Sequence, residues 1–83
     1  MEENPVAQFF KSDGTLTHIP AKAKKKVAVL QQIALGFEPG VKYPEKEVNQ
    51  IISRFHPDTA AIRRHMIEYR ILVRDSASVY WLA

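Results

Sequence analysis

The feature that most constrains this chain is the tripeptide His56-Pro57-Asp58, set between two segments of helical periodicity. Pro57 has no backbone N–H and pushes His56 out of the α region, so a helix arriving from upstream must stop there. Asp58 is a favoured N-cap, so a new helix starts at once. In the upstream segment Val48, Ile51, Ile52 and Phe55 fall at i, i+3, i+4 and i+7, a single apolar stripe. Pro44 suits its first helical position, and Glu45 and Glu47 sit at the positive end of its dipole. Asn49, Gln50, Ser53 and Arg54 take the other faces. In the downstream segment Ile62, Met66 and Tyr69 form the expected buried line. Arg63, Ile67 and Arg70 share another face, and Arg64 and Glu68 are spaced as an i, i+4 pair.

The flanking sequence fits around this helix pair. Ile71 to Arg74 is rich in β formers, Asp75-Ser76-Ala77-Ser78 can turn, and Val79 to Leu82 returns, which predicts a short C-terminal hairpin. Upstream, Ala21 to about Leu35 has helical spacing, with Ala23, Val27, Leu30, Ala34 and Phe37 recurring at threes and fours and Ile33 beside them. Gly36 closes that helix and Glu38-Pro39-Gly40 makes a loop. Ser12-Asp13-Gly14 is a turn, since Gly14 takes a positive φ without steric cost. Thr15 to Ile19 alternates apolar and polar residues and admits a short strand, ended by Pro20. Phe9 and Phe10 are expected to be buried, and residues 1–8 to be loosely ordered. With 83 residues and no repeat, the chain holds one modest core and one domain, residues 1–83.

Three helices, the last two joined by a tight turn and followed by a hairpin, give an α+β, winged-helix-like order, with a short N-terminal strand as an optional addition. Particular residues add a resemblance. Ile19-Pro20-Ala21-Lys22, the run YPEKEVNQII at 43–52, Ile62-Arg63-Arg64, Leu72-Val73-Arg74-Asp75 and Tyr80-Trp81 together resemble a bacterial family, domain of unknown function 2087. The resemblance runs from about Phe9 to Trp81. It implies a winged-helix-like fold and a role in transcriptional control, since members occur alone or attached to helix-turn-helix regulators. It implies no ligand. The family commonly has Gly near position 70 and after the hairpin Asp, where this chain has Arg70 and Ser76. A positive φ is less favourable at either position without Gly.

Charge points the same way. The net charge is +3, but its distribution says more than its total. Lys22, Lys24, Lys25 and Lys26 form one cluster, and Arg63, Arg64, Arg70 and Arg74 a second, the footprint expected of a phosphate-binding surface. Arginine offers a planar fork for phosphate or for guanine edges. Arg63 and Arg64 differ by about 100° around a helix, so they cannot make the same contact. One is expected to meet nucleic acid while the other braces Glu47 or Glu68, and intramolecular pairing of both is the competing account. The lysines equally fit a solvated helix start, and Arg74 an edge-strand charge that discourages strand pairing. Duplex DNA is thus the first expected partner. The alternative is a protein interaction module on the same scaffold, pairing with a second copy or a regulatory protein through an apolar patch around Ile67, Ile71 and Trp81.

No membrane partner is expected, since no apolar run approaches the roughly 18 residues of a span. The acidic start MEENPVAQFF has no basic-then-apolar leader pattern, which sets a cytoplasmic expectation. There is no Cys, and His18, His56 and His65 match no short ligand spacing, so no metal or cofactor is expected. No nucleophile elbow or phosphate-cradling Gly loop occurs, so the expectation is non-catalytic, with no small-molecule ligand identified. His56-Pro57-Asp58 is also the signature of J-domain co-chaperones, but the residues after Tyr69 read as strands where that domain needs helix.

Overall fold

The computed structural model describes residues 7–83. Helix α1 spans Ala23–Ala34, strand β1 Tyr43–Pro44, helix α2 Glu45–Ser53, helix α3 Thr59–Glu68, strand β2 Leu72–Arg74 and strand β3 Val79–Leu82. A 3₁₀ turn at Ala7–Phe9 precedes them. The three strands form one antiparallel sheet in the order β1-β3-β2, so this is an α+β fold. One core joins all the elements: Phe9 and Leu16 from the N-terminal segment, Val29, Leu30 and Ile33 from α1, Phe37 from the loop after it, Val48 and Ile52 from α2, Ile62 and Met66 from α3, and Leu72 and Tyr80 from the hairpin.

Helix α2 ends at Ser53, earlier than the expected stop at His56-Pro57, so Phe55 lies just past the helix. The Asp58 side chain accepts from the Ala61 N–H at 3.1 Å and caps α3. His56 Nδ1 accepts from the Asp58 N–H at 3.0 Å, which fixes the turn. Pro44 stands one position earlier than expected, as the N-cap of α2 with extended ψ, because it also belongs to β1. That short strand, absent from the sequence-based expectation, pairs Tyr43 with Tyr80 and Pro44 with Val79.

Several expectations are corrected. Thr15 to Ile19 is not a strand, and only Leu16 makes a bridge, to Phe10. The Leu16 N–H donates instead to the Phe55 carbonyl at 2.6 Å, which pins the segment to the end of α2. The expected looseness of residues 1–6 lies outside the described residues, whereas Ala7 and Gln8 belong to the 3₁₀ turn. Phe9 is buried and Phe10 half-buried. On α1 the buried set is Val29, Leu30 and Ile33, while Ala23 is exposed and Val27 only half-buried. Leucine and isoleucine side chains have more apolar area to remove from water than alanine, so they set the rotation of the helix.

Gly36 follows the C-cap of α1 without a positive φ, and its role is close approach rather than termination. A Cβ there would lie 3.1 Å from Ile51 Cγ2 and 3.3 Å from the Ile33 carbonyl, so glycine lets α1 and α2 approach. The positive φ occurs instead at the end of α3, where Arg70 sits at φ +58°. The Ile71 N–H donates to the Met66 carbonyl at 2.8 Å and the Arg70 N–H to the Ile67 carbonyl at 3.0 Å, the two bonds of a Schellman cap. Helix α3 therefore stops before Tyr69 can join the buried line. Tyr69 is 36% exposed, contrary to expectation, while Ile62 and Met66 are fully buried.

The hairpin turns where the sequence places it, but Ser78, not Ser76, carries the positive φ, at +60°. The Asp75 side chain accepts from the Ala77 and Val79 N–H groups at 2.9 and 3.0 Å and holds the loop.

Candidate functional site

The three residues that define the site come from two elements. Arg63 and Arg64 lie on α3, and Arg74 ends β2. Together with Ala60, Ile67 and Tyr80 they line a groove of about 190 Å³ between α3 and the hairpin, and no acidic residue is among its lining. Arg74 is also shared with a neighbouring groove lined by Ile67, Arg70, Leu72, Val73 and Ala83. All four candidate arginines thus meet on one side of the molecule, around Ile67. The candidate lysines do not join them. Lys22 to Lys26 stand at the start of α1, and none lines either groove. Lys22 is the N-cap without a side-chain bond, so these cations stand at the unfavourable end of the helix dipole.

The arginines have different environments. Arg63 is half-buried and held from α2. Its Nη1 donates to Asn49 Oδ1, and its Nε lies 3.8 Å from Glu45 Oε1. The same Glu45 oxygen accepts from the Tyr80 hydroxyl at 2.8 Å. Burial first, and then the Glu45 carboxylate, raise the Tyr80 pKa above its ordinary value of 10.0. Tyr80 therefore stays a hydrogen-bond donor through the neutral range, and its ring supports Arg74, whose guanidinium carbon is 5.9 Å from the ring centroid. One chain of contacts thus links the start of α2, the middle of α3 and both hairpin strands.

Arg64 is exposed and makes no ion pair among the described residues. Its expected partner Glu68 is 3.1 Å from His65 Nδ1 instead. The helix brace expected to involve Glu47 or Glu68 runs through Glu45, with Arg63 as the braced residue. Asn49, assigned to an outer face, turns inward to Arg63. A signal for this was present in the sequence. Glu45 and Asn49 are four apart and flank the buried Val48 and Ile52, so they share the edge of the face that packs on α3.

The expected apolar patch is also redistributed. Ile67, Ile71 and Trp81 are all half-buried, and Lys42 Nζ lies 5.1 Å from the Trp81 ring centroid. The large exposed apolar residues are Leu35, Val41, Tyr69 and Val73. Among the described residues, no three His, Asp or Glu side chains are grouped to hold a metal ion. No described helix is long and apolar enough to cross a membrane.

A small α+β protein with an arginine-lined groove between its last helix and its hairpin is what the fold and the site define. The family model described as an uncharacterized protein conserved in bacteria (DUF2087) matches residues 15–82, and the chain belongs to that family. No curated protein and no solved structure matches it.

Proposed function

We propose that this protein is a winged-helix DNA-binding module serving transcriptional control. In this reading α2 and α3 form the helix-turn-helix, α3 enters the major groove, and the β2–β3 hairpin lies against the backbone as a wing. The observation that carries the reading is the shared groove: residues of α3 and of the hairpin present Arg63, Arg64 and Arg74 to one side with no acid among the lining. Arg64 is the contact free to read a base edge or a phosphate, Arg74 is a wing contact, and Arg63 is held as a brace. Arg70 stands at the end of α3 beside the same surface. The acids of α2 fit the scaffold role, since Glu45 is turned onto Arg63 and Tyr80. The module is non-catalytic and works in the cytoplasm.

The test is fluorescence anisotropy of a labelled 20-base-pair duplex (roughly two helical turns) titrated at several salt concentrations. Phosphate contacts from Arg64, Arg70 and Arg74 give log K against log salt a slope of about −3. Arg64→Ala and Arg74→Ala each weaken binding and bring the slope about one unit closer to zero. Absence of salt-sensitive binding at low ionic strength sinks the reading.

A second reading, a protein interaction module, is favoured by one feature. The groove beside edge strand β2 is lined by Ile67, Leu72, Val73 and Ala83 with Arg70 and Arg74, and Val73 is 36% exposed. A sedimentation experiment that finds only monomer at high concentration removes its self-associating version.

A further inference from the structure

We propose that the groove between α3 and the hairpin is a seat for one phosphate group, binding it whether it belongs to a nucleic-acid backbone or to a small phosphorylated molecule. The seat shares its residues with the DNA reading but does not rest on it, because it requires only the phosphate.

Three arginines line one small space without an acid among the lining residues. Like charges held together are unfavourable unless an anion joins them. Glu45 touches Arg63 at 3.8 Å and so neutralises at most one of the three. The groove's volume of about 190 Å³ holds a phosphate with its first waters, given about 30 Å³ per water.

Two of the three arginines are positioned before any ligand arrives. Arg63 is tied to Asn49 and Glu45, and Arg74 lies against the Tyr80 ring, itself fixed by its bond to Glu45. Such preorganisation removes part of the ordering cost of binding. Arg64 is exposed and unpaired among the described residues, and it closes over the ligand from the α3 rim.

The geometry selects the anion. A carboxylate has two oxygens in one plane and is satisfied by one guanidinium fork. A phosphate presents oxygens in several directions and accepts from forks that approach from α3 and from β2 at once. The seat therefore favours phosphate over carboxylate.

The experiment is thermal denaturation of the full chain in inorganic phosphate against sodium chloride at matched ionic strength. It is run on the wild type, on Arg64→Gln, which alters an exposed residue, and on Arg74→Lys, which keeps the charge and loses the fork. A rise in Tm that follows the logarithm of phosphate concentration above Kd is expected for the wild type, about 8 °C at ten times Kd. Both variants lose most of it. General salting-stabilisation by phosphate grows about linearly with concentration and is equal in all three proteins, so equal increments overturn the seat. Amide and arginine Nε NMR shifts of the wild type give a second measurement. Saturable shifts confined to α3 and the hairpin support the seat, and shifts spread over the surface overturn it.

Adenosine monophosphate and a duplex then separate the sources. Tighter binding of the nucleotide than of phosphate supports the seat with a small-molecule source, and competition between phosphate and duplex supports it with a backbone source. Saturable phosphate binding without duplex binding supports the seat and sinks the DNA reading. Duplex binding that phosphate neither competes with nor mimics overturns the seat and leaves the DNA reading standing.

Discussion

Arg70 is the residue where local preference and the fold conflict most openly. An L side chain at φ +58° is strained relative to glycine, and the Schellman bonds around it force that conformation. Arg70→Gly is therefore expected to stabilise the protein by about 1 kcal/mol, read as a higher urea midpoint at unchanged m-value. Tyr80 makes a second prediction at this scale. Its pKa is raised above 10.0 by burial and by its bond to Glu45, so the folded protein keeps the phenol proton where the unfolded chain gives it up. The stabilisation is full below pH 10 and declines as pH rises through the folded-state value. Urea midpoints measured from about pH 9 to 11 should fall more steeply for the wild type than for Tyr80→Phe. Loss of the hydroxyl also frees one of the contacts on Glu45, so Tyr80→Phe is expected to be less stable at neutral pH by about 1 kcal/mol.

At the scale of the element, the helix boundaries were the most legible feature of the sequence. Asp58 acts through a bond to a near neighbour, and no distant residue is needed to cap α3, whereas α2 already ends at Ser53, before Pro57. Asp58→Ala is expected to cost about 1 kcal/mol, measured as a lower thermal midpoint, because Asp58 Oδ1 satisfies an otherwise free N–H of α3. The hairpin was legible for the same reason, through Asp75 and the β formers on either side. Strand β1 was not. Two residues carry no periodicity, and Tyr43 and Pro44 become a strand only because β3 lies beside them. Thr15 to Ile19 failed in the opposite sense: its alternation is strand-like, but the Phe55 carbonyl captured the Leu16 N–H first. Tyr69 had helical spacing, and the cap at Arg70 took it out of the helix.

For the whole molecule, the prediction that matters is the joint behaviour of the arginines. Arg64 and Arg74 are ten residues apart in sequence and line one groove. Their double substitution should bring the slope of log K against log salt to about −1 while lowering the thermal midpoint by no more than a few degrees. Arg63→Ala behaves differently, lowering stability as well as binding by about 1 kcal/mol, because Asn49 and Glu45 lose their partner. A double-substitution cycle between Arg63 and Glu45 checks this independently, and it should show coupling where Arg64 and Glu68 show none. By itself the sequence determined three helices, their breaks, a terminal hairpin and two basic clusters, since periodicity, proline and capping act over a few residues. Only the tertiary structure decided that the arginines converge while the lysines stay apart, that Glu45 rather than Glu47 or Glu68 is the brace, and that Tyr80 joins them. Those choices depend on how α2, α3 and β3 are packed against one another, and packing brings together residues whose separation along the chain carries no local signal.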